Sequence, residues 1–456
     1  MRLVASSSLH VLDAFRVPYE VGLEEEDPAC GRIVAASGAE LLWIRSPDDA
    51  PRRWHTLGKV AFFGAVASEE SVRHVLDGTG RTWRRSDAIV AGDATVGHAF
   101  RAEDGSALLP FDPDSLVRAL LREEYVGAGA VTSLARRLYY VLRPLLPRGV
   151  QIALRRRFAR VQERSAFPSW PAETALHDLY SYLLELVEAV HGAPLPWISP
   201  WPGPYRWCVV LTHDVERSQG YERMAAVADL ERALRVRSAW YLVPERDYVV
   251  ADSLVRALSE DGFEIGVHGL RHDGRDLAPV VFEERLPAMR GYAKRWGATG
   301  FRAPATQRDW NRIGRLGFDH DSSYSDVARY EPQTGGSCSW HPFFVGNVVE
   351  LPITLPMDHT LFELLAHDRG DVWFEKAALL RERRGMALLL THPDYLDARR
   401  LDEYARFLEH VSSDDSAWIA LPREVAAWWR RRAASSLELR GTVWRVVGPA
   451  ADEARV

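Results

Sequence analysis

Cys208-Val209-Val210-Leu211-Thr212-His213-Asp214-Val215-Glu216 starts as an unbroken apolar run and ends in side chains that carry chemistry. Such a run reads as a strand. A second run, Phe263-Glu264-Ile265-Gly266-Val267, closes in the same way with His268-Gly269-Leu270-Arg271-His272. Two carboxylates and two histidines are thus delivered to two strand ends, a set that suits one divalent metal ion beside a general base.

Working outward, strand-like runs recur at 208–211, 239–243, 263–267, 300–302, 318–321, 348–355, 386–390 and 418–421. Helical patterns at 221–236, 252–260, 282–296, 373–384 and 401–411 separate most of them. This alternation predicts an α/β fold, an irregular (β/α) barrel. Asp214, His268, Arg302, Asp321 and His392 each follow the apolar part of a strand. In a barrel those carboxyl-terminal ends gather on one face, where catalytic groups belong. One histidine at a strand end is most often a structural residue. Several complementary groups at corresponding ends make a site.

The barrel is expected over residues 205–432, after the proline-rich boundary that runs from Gly192 to Pro204. Residues 1–125 mix short strand-like runs (41–44, 60–63, 88–91) with turn clusters and predict a smaller α/β domain of unassigned role. Asp93, His98, Asp112 and Asp114 fall there, and loop and cap roles suit them. Residues 126–204 predict a helical connector. Leu134, Leu138, Val141, Leu142 and Leu145 fall at helical spacing, and Leu176, Leu179, Tyr180, Leu183, Leu184 and Val187 form a second stripe. Between them lies an arginine-rich helix with Arg155, Arg156, Arg157, Arg160 and Arg164, read either as a solvated face or as a basic surface for membrane lipid headgroups or an anionic polymer. Residues 433–456 predict a terminal hairpin turning at Gly441, and a tail.

A hydrophobic fraction of 47% and a charged fraction of 26% are those of an ordinary globular chain, and a net charge of −6 gives no sign of a nucleic-acid partner. Cys30, Cys208 and Cys338 are too few and too far apart for a disulfide framework or a thiolate metal site. No signal peptide and no membrane-length apolar stretch stand out, so the expected location is cytoplasmic, with membrane association through the arginine-rich connector as the variant.

From about Tyr205 to Trp429, half of the chain, the motifs resemble those of the polysaccharide deacetylases of the NodB-like type, carbohydrate esterase family 4. The first motif stands here as Thr212-His213-Asp214-Val215-Glu216, a D-x-E variant. The resemblance implies Asp214 as base and Glu216 as carboxylate ligand, with Asp214 as the alternative ligand. It implies His268 and His272 as metal ligands, their spacing of four being suited to one side of a helical turn. Arg302, in Phe301-Arg302-Ala303-Pro304, would orient the base, and His392, in Thr391-His392-Pro393-Asp394-Tyr395, would be the acid. Asp321 is the first choice to orient His392, with Asp319, Asp326 and Asp394 competing. The implied cofactor is one divalent metal, zinc first, with cobalt, manganese or nickel as alternatives.

The implied reaction is removal of an N-acetyl group from an amino sugar or polysaccharide precursor. Two other readings remain: hydrolysis of a C–N bond in a cyclic ureide or imide, and a non-catalytic carbohydrate-binding relative. The segment 332–342, with Trp340 as a surface for a sugar ring, and the segment Leu355-Pro356-Met357-Asp358-His359-Thr360 are expected to shape the mouth. Oligomeric state is not legible.

Overall fold

The computed structural model describes residues 3–23, 29–46, 50–127 and 148–456. The expected helix around Leu134–Leu145 lies outside the described residues. The chain forms two compact units, one of residues 1–125, 174–202 and 431–456, the other of residues 126–173 and 203–430.

The first unit is built on a mixed nine-stranded sheet. Its strands include Cys30–Ala35, Glu40–Ile44, Val60–Gly64 and the long pair Trp83–Ala91 and Ala94–Ala102. Helix Ala175–His191, grouped by its sequence with the connector, belongs to this unit and buries Leu176, Leu179, Tyr180, Leu183, Leu186 and Val187. Asp112 caps helix Pro113–Leu121, accepting from the Asp114 N–H at 3.1 Å. The buried guanidinium of Arg432 is satisfied by backbone, donating to the carbonyls of Ala14, Ile198 and Ser199 at 2.9, 2.7 and 3.0 Å. Strands Ser436–Arg440 and Val443–Val447 form the terminal hairpin.

The second unit is the curled parallel sheet. From one edge the strands run Phe343–Val345, Val348–Glu350, His320–Asp321, Gly300–Phe301, Glu264–Val267, Ala239–Leu242, Trp207–Val215 and Met386–Thr391. Ala417–Ile419 also pairs with Trp207–Val215, and only Phe343–Val345 runs antiparallel. Every residue of Trp207–Val215 is buried, as its unbroken apolar pattern requires.

The run at 348–355 is a strand only as far as Glu350. Pro352 and Pro356 lack the N–H that a continuous ladder needs. The chain nonetheless bridges the gap to Met386–Thr391. Leu355 N–H donates to the Leu388 carbonyl at 3.0 Å, and Thr354 Oγ1 donates to Met386 O at 2.6 Å while accepting from Leu388 N–H at 2.8 Å. A side chain therefore completes part of a ladder that backbone cannot.

Two glycines make room for large side chains inside the barrel. A Cβ on Gly266 would stand 2.4 Å from the Tyr241 ring, and one on Gly300 would stand 2.2 Å from His320 Nε2. Tyr241 Oη and His320 Nε2 are 3.3 Å apart, and His320 Nε2 is 3.2 Å from Glu264 Oε1, so neither ring is free to retreat. On the outer face of the central strand, His213 bonds Thr391 Oγ1 and Glu231 Oε1 at 2.8 and 2.9 Å. Glu231 also accepts from Ser238 Oγ and Tyr404 Oη, which ties helices Ser218–Ala233 and Ala398–Ser412 to that strand.

Gly300→Ala is expected to lower the stability of the barrel by about 1–3 kcal/mol, the usual cost of overpacking a closed interior. Urea denaturation of purified variant and parent would show it, and an unchanged midpoint would mean that His320 has room to move.

Candidate active site and metal centre

Strand alternation puts Thr212 and Asp214 on the face opposite His213. Arg302, fully buried, reaches both of them from the end of strand Gly300–Phe301. Its Nη1 donates to Asp214 Oδ1 at 2.8 Å and to Thr212 Oγ1 at 3.0 Å. Nε donates to the Ser322 carbonyl at 2.8 Å, Nη2 to Ser322 Oγ at 2.9 Å, and the guanidinium lies 4.3 Å from the Tyr241 ring centre. A buried charge this completely bonded holds its position. Burial works to raise the pKa of the Asp214 carboxyl, yet the opposing charges, Arg302 first, outweigh it and leave the group below its ordinary value. Asp214 is therefore ionised at neutral pH, with Oδ2 3.5 Å from His268 Nε2.

His268 follows strand Glu264–Val267 and donates from Nδ1 to the Arg302 carbonyl at 3.1 Å. That bond assigns the proton to Nδ1 and leaves the Nε2 lone pair free. Burial, the largest influence, lowers its pKa to about 4, so the ring is neutral at pH 7 and its contact with Asp214 is not an ion pair. His272 Nε2 comes within 3.0 Å of Glu216 Oε1 but without the alignment of a hydrogen bond. The Nε2 atoms of both histidines are buried and have no hydrogen-bond partner. Burial pushes the Glu216 carboxyl upward, but His272 chief among its neighbours outweighs this and holds it well below the usual range.

Single donor atoms of Glu216, His268 and His272 all lie within 4.8 Å of one another, a group of three able to hold a metal ion. Two buried imidazole nitrogens without a hydrogen-bond partner, facing a carboxylate, are the donor set that a borderline cation with nitrogen and oxygen ligands requires, so the residues fit the group. The histidine pair does not converge through a helical turn, as its spacing led us to expect. Residues 268–272 form a bend in which Gly269 and His272 take positive φ of 62° and 52°. A Cβ on Gly269 would meet Asp276 Oδ2 at 2.3 Å and Pro304 at 2.7 Å, so that left-handed turn needs glycine. Asp276 accepts from Leu270 N–H at 3.3 Å and from Arg285 at 2.7 Å, which braces the bend.

His392 lies just past strand Met386–Thr391, its Nε2 3.9 Å from Glu216 Oε1. Asp358 holds it twice, accepting from His392 Nδ1 at 2.6 Å and from its backbone N–H at 2.8 Å. Burial disfavours charge on His392, but Asp358 first, then Glu216 and Asp214, outweigh it and raise the pKa to about 10. Asp394 stands behind Glu216, its Oδ2 accepting from the Glu216 N–H at 3.0 Å. A Cβ on Gly220 would lie 2.2 Å from that oxygen, so glycine there lets helix Ser218–Ala233 approach.

The structure brings Asp214, Glu216, His268, His272, Arg302 and His392 together. It does not bring Asp321 to His392. Asp321 bonds Ser323 Oγ at 2.9 Å and forms a buried carboxyl pair with Glu350, both pushed up by burial. Asp358 takes the orienting role instead. Its only signal in the sequence was its place in a loop expected to reach the mouth. Asp326 is committed to Lys376, at 2.7 Å. Trp340 offers no surface to a sugar, being 1% exposed. The half-buried Glu216, His272, His359 and Tyr395 mark the open side.

No family model matches the chain, and no curated protein does. Solved structures similar to it include a protein from Mycobacterium smegmatis assigned as a polysaccharide deacetylase, at 19% identity over 53% of this chain and 96% of that one, TM-score 0.42. One from Pseudomonas aeruginosa PAO1, assigned likewise, is 18% identical over 54% of this chain and 97% of that one, TM-score 0.41. The PuuE allantoinase is 17% identical over 52% and 94%, TM-score 0.41. At such scores the functional reading rests on the side chains themselves.

Protein purified without chelators is expected to carry about one equivalent of divalent metal by elemental analysis, and His272→Ala to lose it. Asp214→Asn is expected to keep it. Metal-free native protein would instead favour a carbohydrate-binding module without catalysis.

Proposed function

We propose that this chain is a metal-dependent hydrolase that removes N-acetyl groups from an amino sugar in a polysaccharide precursor. One observation carries the reading: Asp214, 3.5 Å from His268, and His392, 3.9 Å from Glu216, flank the point on which Glu216, His268 and His272 converge. We assign Glu216, His268 and His272 as the ligands and zinc as the first candidate ion. When bound there, such a cation supplies Lewis acidity toward water and an amide carbonyl.

The chain's own residues account for the proton movements. Asp214, kept ionised by Arg302, accepts the proton of the attacking water. Arg302 stays bonded to Asp214 Oδ1 and leaves Oδ2 on the His268 side to do this work. His392, protonated at neutral pH, donates to the departing nitrogen, which leaves poorly as an anion. Asp358 fixes the ring through Nδ1, so that the proton given up sits on Nε2, the atom nearer Glu216. Acetate and a free amine result.

The sugar as substrate, as part of surface or exopolysaccharide synthesis, follows from the motif resemblance. Residues 1–125 are left without an assigned role in this reading. Among the described residues no helix is long and apolar enough to cross a membrane. A cytoplasmic location, with nucleotide- or lipid-linked precursors as substrates, is part of the same proposal.

Acetate release from N-acetylated amino sugars and their oligosaccharides is the direct test, with ring opening of a cyclic ureide or imide measured alongside. Ring opening without acetate release would replace this reading. Asp214→Asn is expected to lower kcat/KM by roughly 10²–10⁴-fold, the range of a lost general base. Asp358→Asn removes the charge that most raises His392, so its pKa falls and the alkaline limb of kcat/KM moves to lower pH. An unmoved limb would assign the acid elsewhere.

A further inference from the structure

Helix Arg148–Gln162 carries a face that the hydrolase chemistry does not use. Its inner side is held to the barrel. Arg155 Nη2 donates to the Tyr330 carbonyl at 2.7 Å, Gln162 Nε2 to the Glu331 carbonyl at 3.3 Å, and Arg156 Nε to the Glu363 carbonyl at 2.8 Å. Ala159 is buried between these anchors. The other side presents Val150, Leu154, Phe158 and Val161, exposed by 43, 43, 42 and 59%. At 3.6 residues per turn these side chains share an arc of about 80°, one continuous stripe. Arg157, Arg160 and Arg164 stand exposed along one edge of it. Between residues 148 and 164 there are six arginines and one glutamate, in a chain whose net charge is −6.

A row of large apolar side chains facing water has an unfavourable hydration free energy, and soluble domains seldom keep one. An apolar stripe edged by guanidinium groups suits a helix lying in the plane of a lipid headgroup layer. We propose that this helix docks the protein on the surface of an anionic lipid bilayer, with the stripe at the acyl boundary and the arginines on lipid phosphates. A second copy using the same stripe would set two arginine rows against each other, which like-charge repulsion opposes.

Glu331, next to the anchored Tyr330, accepts from Thr360 Oγ1 at 2.7 Å, two residues from the Asp358 that orients His392. The anchored side of the helix is thus linked through Glu331 and Thr360 to the segment that carries Asp358. The docking face goes beyond the hydrolase reading and does not depend on it.

Flotation of the full chain with vesicles tests the proposal without turnover. Vesicles of equimolar phosphatidylglycerol and phosphatidylcholine are expected to carry the protein at low salt, and vesicles of phosphatidylcholine alone to leave it behind. Arg157→Gln with Arg160→Gln is expected to weaken partitioning on the order of thirtyfold, the effect of two interfacial charges. Leu154→Glu with Val161→Glu is expected to abolish flotation while thermal melting and metal content stay as in the parent. No flotation with the anionic vesicles, or equal flotation of the variants, would overturn the proposal. So would light scattering that shows a native dimer, unable to float, made monomeric by Leu154→Glu with Val161→Glu, since the stripe would then be a contact between copies.

Discussion

The buried ion pair between Arg302 and Asp214 is the constraint around which the barrel is arranged. A guanidinium without solvent is costly unless its donors are met, and here they are met by a carboxylate, two hydroxyls and a carbonyl, with an aromatic ring against one face. Tyr241 reaches that position because Gly266 lacks a side chain. The carbonyl of the same arginine sets the tautomer of His268. One residue thus fixes the ionisation of the carboxylate and the orientation of the imidazole, although they come from different strands.

Around this pair the environment drives titratable groups apart. Burial alone would make every member neutral. Asp214 and Glu216 stay charged because their neighbours, Arg302 and His272 first, outweigh burial, and His268 stays neutral because burial outweighs its carboxylate neighbours. His392 goes the other way, since Asp358 meets its Nδ1. A carboxylate held ionised and an imidazole held protonated, a short distance apart, are the arrangement that acid–base catalysis at neutral pH needs.

Much of this was legible in the chain. An apolar run ending in Thr212-His213-Asp214-Val215-Glu216 announces both a buried parallel strand and the face on which its polar end must lie. The His268 and His272 spacing marks a pair, but the bend that joins them depends on positive φ at Gly269 and His272, which no periodicity encodes. Asp358 was missed as the partner of His392 because the two are distant in sequence and meet only where the Pro352–Pro356 segment crosses to the last strand. Trp340 misled because an aromatic in a glycine-containing loop reads the same whether it faces water or the interior. The connector's last helix, Ala175–His191, carries a core-facing stripe that does not reveal which core it serves.

The crossing at Thr354 has one more consequence. Where other strands of the barrel exchange backbone bonds, this seam relies partly on a hydroxyl, between two prolines that cannot donate. Cooperative opening of a sheet starts where its amides are least protected. That seam leads directly to Asp358 and His392, whereas Asp214, His268 and Arg302 are buried in the continuous part of the sheet. Breathing of the protein would therefore expose His392 to solvent while leaving Asp214 and Arg302 sealed.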